Sequence, residues 1–168
     1  RTHGESDGKT RAYIDDFDLY INEFGEFLQH FDYGKKRPFY LMSHSMGGLV
    51  LLSFLLNSKD RKPNYLGCAF SSPFLMPNKD TAPLLQKIVG IVAIFAPKLK
   101  TVKIDAKEIS RDPKEQQSYI NDPLNYHDGI YAKTGASLLK QMKNIKPFFN
   151  IFKDPFIIQH GSIDQLAE

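Results

Sequence analysis

Ser43-His44-Ser45-Met46-Gly47-Gly48 sets a serine between two apolar stretches, residues 38–42 before it and 47–56 after it. A serine hydroxyl is a weak nucleophile until a base takes its proton and the surroundings stabilise the charge that forms. A sharp strand-to-helix turn supplies part of this. It lifts the hydroxyl above the sheet edge and sets the next backbone N–H, here that of Met46, at a helix N-terminus, where partial positive charge favours an oxyanion. The turn needs small residues two positions before and two after the serine. Gly47 meets the second requirement; Ser43 stands at the first, where glycine is usual. A serine that merely caps the helix is the plainer reading. The flanking apolar strand, the apolar helix and the Gly47-Gly48 pair favour a nucleophile, and therefore acyl transfer with Met46 N–H as one oxyanion donor.

A second residue of chemical interest is Asp164, in the turn His160-Gly161-Ser162-Ile163-Asp164. That turn follows the apolar run 155–159, which reads as a strand. Open α/β sheets gather functional groups at such C-terminal strand ends. A turn aspartate satisfied by local N–H groups is the alternative.

These residues need elements to hold them. Ile14, Phe17, Ile21, Phe24, Leu28 and Phe31 recur at spacings of three and four, which predicts a helix with one apolar face, stopping near Gly34. Residues 38–42 read as a buried strand, 47–56 as a buried helix and 65–70 as a second strand. Alternation of helix and strand implies a parallel sheet with helices on its faces. From residue 72 to about 146 the rhythm breaks, with prolines at 73, 77, 83, 97, 113 and 123. An inserted helical cap, at about 73–147, accounts for this better than another βα unit, and the strand at 155–159 resumes the rhythm.

The 168 residues suit one domain, and 42% hydrophobic with 24% charged residues is the balance of a globular chain rather than a disordered one. The net charge of +3 is mild, and its densest cluster, Lys35-Lys36-Arg37, reads as a solvated loop, so no nucleic-acid partner is expected. Cys68, the single cysteine, reads as a buried thiol. No metal or nucleotide motif is visible, and no cofactor is expected. No apolar run is long enough for a membrane span, which points to a cytoplasmic or peripheral membrane protein; an N-terminal signal is not assessable from a chain opening on Arg1.

Ser43-His44-Ser45-Met46-Gly47-Gly48 resembles the G-H-S-M-G-G turn of monoacylglycerol lipases and the lysophospholipase-like, serine aminopeptidase-type (S33) α/β-hydrolases. Other segments agree in order. Arg1-Thr2-His3-Gly4-Glu5-Ser6-Asp7-Gly8 resembles that family's R-G-H-G-x-S-x-G loop, with Thr2 at a glycine position. Ser71-Ser72-Pro73 resembles the opening of its cap, Ser110-Arg111-Asp112-Pro113 and Asn121-Asp122-Pro123-Leu124 resemble two cap segments, and residues 160–164 resemble the turn carrying the triad acid. The resemblance implies an α/β-hydrolase fold with Asp164 orienting a catalytic histidine. In this fold the order along the chain is serine, acid, histidine. The five histidines are His3, His30, His44, His127 and His160, and none follows Asp164. The base is therefore expected beyond Glu168, and the second oxyanion donor before Arg1. The fold is expected to be truncated at both ends, and this chain alone to be inactive.

The resemblance makes a lipid ester, a monoacylglycerol or lysophospholipid, the leading substrate. The apolar segment 84–99 suits either an acyl-chain pocket wall or contact with a membrane surface, with simple burial as the alternative. Two other functions fit the residues: a peptide or small-ester hydrolase of the same fold, and a non-catalytic lipid- or protein-binding pseudo-hydrolase, to which the substitutions at Thr2 and Ser43 lend support.

Overall fold

The computed structural model describes residues 1–30, 38–57, 63–77 and 83–167, without the side chains of 83–86. Phe31, Gly34 and Lys35-Lys36-Arg37 lie outside the described residues, as do Glu168 and the side chains of Leu84 and Leu85.

The chain divides into two compact units. One comprises residues 16–79 and 139–168 and contains the sheet. Its first helix, α1 (Asp18–His30), starts four residues later than the apolar periodicity predicts. The reason is local: the Asp16 carboxylate accepts the Asp18 N–H at 3.0 Å, giving the helix its cap there. Ile14 and Phe17 are buried, but ahead of the helix. Ile21 and Leu28 carry the inward face of α1, and Phe24 meets Phe54 edge to face with ring centroids 5.3 Å apart.

Strand β1 (Leu41–His44) leads into α2 (Met46–Asn57). The strand lies further along than the apolar run 38–42, because Pro38 has no N–H for a ladder and pairing starts at Leu41↔Cys68. α2 is buried on nearly every side, including Leu49, Leu51, Leu52, Phe54 and Leu55. The hydroxyl of its fully buried Ser53 accepts a 2.8 Å hydrogen bond from the Gln141 amide, so this polar pair is satisfied without water. Strand β2 (Cys68–Ser71) begins later than the predicted 65–70, and β3 (Phe156–Gln159) falls within the predicted 155–159. The three strands run parallel in the order β1-β2-β3, with Cys68 of β2 facing Leu41 on one side and Phe156 on the other. Cys68 is a buried thiol, as expected. β3 is exposed along its whole length despite its Phe-Ile-Ile sequence.

The other unit joins residues 1–15 to 80–138. It contains α3 (Pro83–Phe95), α4 (Ala106–Ile109), α5 (Pro113–Asn121) and the first half of α6 (Ala132–Ile145). Asp105 and Glu108 form a capping box on α4, and Asp112 caps α5 just before Pro113. The opening segment is tied to α6 through Thr134, whose buried hydroxyl accepts the Ile14 N–H at 2.9 Å and donates to the Ala12 carbonyl at 3.1 Å. Thr2 has φ 57°, a left-handed conformation that explains why glycine suits its position. No helix among the described residues is long and apolar enough to cross a membrane.

Candidate active site

Ser45 is the single residue between β1 and α2, and its φ is 50°. A non-glycine residue there carries left-handed strain of roughly 1–2 kcal/mol, so the surrounding structure must hold it. Three backbone hydrogen bonds do so. The Ser45 N–H donates to the Ser71 carbonyl at 3.1 Å, and the Ser45 carbonyl accepts N–H groups from Gly48 at 2.9 Å and Phe74 at 3.0 Å. The exit of β2 thus braces the turn on both sides. That exit is itself strained, with Ser72 at φ 38° and its N–H donating to the Gln159 carbonyl at 2.7 Å.

The glycine pair has a division of labour that sequence spacing misses. A Cβ at Gly47 would sit 4.0 Å from the Ser43 Cβ, an ordinary contact, which is why serine fits at 43. A Cβ at Gly48 would lie 2.6 Å from Pro73 Cβ and 3.0 Å from Pro73 Cα. The close approach therefore falls one residue later than the elbow pattern suggests, and it is made to the proline after β2. Gly47-Gly48 together with Ser71-Ser72-Pro73 is the sequence signal that could have revealed it.

Met46 opens α2, and the N–H of a first helical residue has no acceptor within its helix. This places a donor beside the Ser45 hydroxyl at the positive end of a twelve-residue helix.

Asp164 lies at the same end of the sheet, past the C-terminus of β3. Its turn closes through the Asp164 N–H to the Gly161 carbonyl at 3.2 Å. Carboxylate Oδ1 accepts the N–H groups of Leu166 at 2.9 Å and Ala167 at 3.0 Å. Oδ2 lies 3.3 Å from His160 Nε2, which also lies 3.1 Å from the Ala167 carbonyl. A proton on Nε2 serves both acceptors. The local N–H bonding expected of a turn aspartate is thus present, and it also fixes the carboxylate's direction. With β2 between them, β1 and β3 are roughly 10 Å apart.

The structure brings Ser45, Met46 and Asp164 to one sheet edge, but no hydrogen bond joins the Ser45 hydroxyl to any of the five histidines among the described residues. His44 is turned onto Ser71, with Nδ1 3.0 Å from its carbonyl and 3.2 Å from its hydroxyl. His127 packs on Tyr119 and approaches the Asp122 carbonyl, His3 approaches the Arg1 carbonyl, and His30 is an exposed residue ending α1. The contact of His160 with Asp164 escaped the sequence reading; its signal was the four-residue spacing within a tight turn.

Elsewhere, burial, reinforced by a hydrogen bond to Asp154, pushes the Tyr65 phenol well above its ordinary pKa. Tyr65 precedes β2, at the end of the sheet away from Ser45, so the Tyr65–Asp154 bond ties strand entries together rather than serving the serine. No cluster of three or more His, Cys, Asp or Glu among the described residues is arranged to hold a metal.

Comparison with known proteins gives one consistent answer. The family described as serine aminopeptidase, S33, matches residues 1–168. The monoglyceride lipase of Rattus norvegicus is 28% identical over 171 residues, covering 99% of this chain and 54% of that protein. The crystal structure of the Paleococcus ferrophilus monoacylglycerol lipase aligns with a TM-score of 0.70 at 26% identity, over 94% of this chain and 58% of the other. A soluble variant of the Saccharomyces cerevisiae monoglyceride lipase, solved with a substrate analogue, aligns with a TM-score of 0.80 at 21% identity, over all of this chain and 58% of the other. The last likeness shows the fold alone. The chain spans about half the length of the curated relatives it matches.

Proposed function

This chain belongs to the serine aminopeptidase (S33) family and has its α/β-hydrolase fold, and on that premise we propose that the protein hydrolyses carboxylic esters of lipids, a monoacylglycerol or a lysophospholipid, through an acyl-enzyme. The observation that carries this reading is Ser45 at φ 50°, locked between β1 and α2 at the sheet edge that also holds Asp164. The Ser45 oxygen attacks the ester carbonyl carbon while a histidine takes its proton. The oxyanion of the tetrahedral intermediate accepts the Met46 N–H and a second donor. Collapse breaks the ester bond, the histidine returns the proton to the leaving alcohol, and water then releases the fatty acid by the same steps. Asp164 keeps the histidine in the tautomer that can accept from serine. None of the five histidines here is placed for that role, so the base is assigned to a histidine outside these 168 residues.

Relatives named as monoglyceride lipases favour a lipid ester over a peptide. Residues 73–147 act as the helical cap of the hydrolase fold, and the exposed apolar face of α3 meets a membrane surface, from which a lipid substrate is drawn. This makes the protein cytoplasmic or peripherally membrane-bound. The test is a rate comparison at the protein's natural length. Long-chain monoacylglycerol is turned over and Ser45→Ala abolishes it, while an N-terminal amino-acid amide is left intact. Faster cleavage of the amide would reverse the substrate assignment.

A further inference from the structure

β3 (Phe156–Gln159) runs straight into a short turn that opens on His160 and ends on Asp164. Among the described residues the Asp164 carboxylate has three donors. Oδ1 accepts the Leu166 and Ala167 N–H groups, and Oδ2 faces His160 Nε2 at 3.3 Å. A carboxylate offers about four lone-pair sites, so one remains, and it is on Oδ2.

The two oxygens are held differently. The N–H groups on Oδ1 fix that atom but let the carboxylate pivot about it. The contact from His160 anchors the second oxygen and stops the pivot. Among the described residues Nε2 faces acceptors alone, Asp164 Oδ2 and the Ala167 carbonyl at 3.1 Å, so it carries a proton and donates. The turn itself closes without the imidazole, through the Asp164 N–H and the Gly161 carbonyl.

The anchor is in turn fixed by its surroundings. The side chains of His160 and Asp164 are mostly buried, at 26% and 18% exposure. Ala167, which donates to Oδ1 and accepts from Nε2, is buried and bridges to Pro77. The Ser72 N–H, bonded to the Gln159 carbonyl at 2.7 Å, holds the residue before His160. Ser72 follows Ser71, whose carbonyl accepts the Ser45 N–H. The backbone that braces the serine turn therefore also sets where the His160 side chain begins.

We infer that His160 is a positioning residue for the reaction. Its Nε2–H fixes the plane of the Asp164 carboxylate, so that the open lone pair of Oδ2 is aimed at the catalytic histidine. This rests on Asp164 being the triad acid, as proposed above. His160 acts through Asp164 and not on the substrate.

Steady-state turnover of p-nitrophenyl butyrate at the protein's natural length tests this, with circular dichroism to check the fold. His160→Leu removes the donor and lowers kcat roughly 10-fold or more, the loss expected for one hydrogen bond to a charged group. KM stays within about twofold, because substrate binding is not touched. His160→Gln, whose side-chain N–H extends as far as Nε2, restores kcat to within about threefold of wild type. Asp164→Ala removes the group that His160 acts on, so adding His160→Leu to it changes kcat less than about twofold. If His160→Leu does not fold, His160→Asn takes its place, its amide too short to reach Oδ2. Undiminished kcat in the variant lacking the donor, no rescue by glutamine, or the same loss in the Asp164→Ala background would overturn the inference. Wild-type kcat in Asp164→Ala would overturn the acid assignment along with it. The nucleophile is judged separately, by turnover that survives Ser45→Ala.

Discussion

Ser45 carries backbone strain that the fold does not need for its own stability. Its φ of 50° suits glycine better than serine, and the three hydrogen bonds that hold the turn are made by backbone groups any residue supplies. Replacing it separates stability from function. Ser45→Gly is expected to raise the unfolding free energy by about 1 kcal/mol through relief of the left-handed conformation, while removing the nucleophile. Ser45→Ala keeps the strain and should leave stability near the wild-type value. Urea denaturation of the three proteins measures this, and a Ser45→Gly variant less stable than Ser45→Ala would mean the turn is unstrained. The turn at Ser45 was legible in the sequence because a sharp strand-to-helix junction requires a rare local pattern of small and apolar neighbours. The orientation of Asp164 was not. It depends on the closure of residues 161–164 and on the N–H groups of Leu166 and Ala167, which have no periodicity to reveal them.

Elements matter here chiefly where two of them touch. The start of α2 approaches the exit of β2 at Gly48 and Pro73, so the turn geometry depends on residues 25 positions apart in the chain. Gly48→Ala drives its Cβ into Pro73 and is expected to cost on the order of 1–3 kcal/mol. Gly47→Ala meets only the Ser43 Cβ at van der Waals distance and should stay within about 1 kcal/mol of wild type, helped by alanine's better helix propensity. Thermal unfolding of the two variants checks the contrast; equal losses would place the close approach elsewhere. The existence and order of α1, β1, α2, β2 and β3 could be read from hydrophobic periodicity, but their ends could not. α1 starts at the Asp16 cap rather than at the first periodic residue, Ile14. β1 starts where its ladder with β2 begins, not at the first apolar residue. In both cases a hydrogen bond sets the boundary, and hydrophobicity does not report hydrogen bonds.

Across the whole molecule, the fold and family follow from the sheet order, the serine turn and a family match spanning residues 1–168. Ser45, Met46 and Asp164, the proposed nucleophile, oxyanion donor and acid, share a sheet edge, while none of the described histidines hydrogen-bonds the Ser45 hydroxyl. A α/β sheet of parallel strands is ordinarily covered on both faces, yet Met42 of β1 is 79% exposed and β3 is exposed throughout. The central claim is that Ser45 is the acyl-accepting nucleophile, and covalent trapping tests it most directly. The protein at its natural length is incubated with a fluorophosphonate and the modified peptide is identified by mass spectrometry. A single adduct on Ser45, absent from Ser45→Ala along with monoacylglycerol turnover, is the predicted result. An adduct on a different serine, or ester hydrolysis that persists in Ser45→Ala, would contradict it.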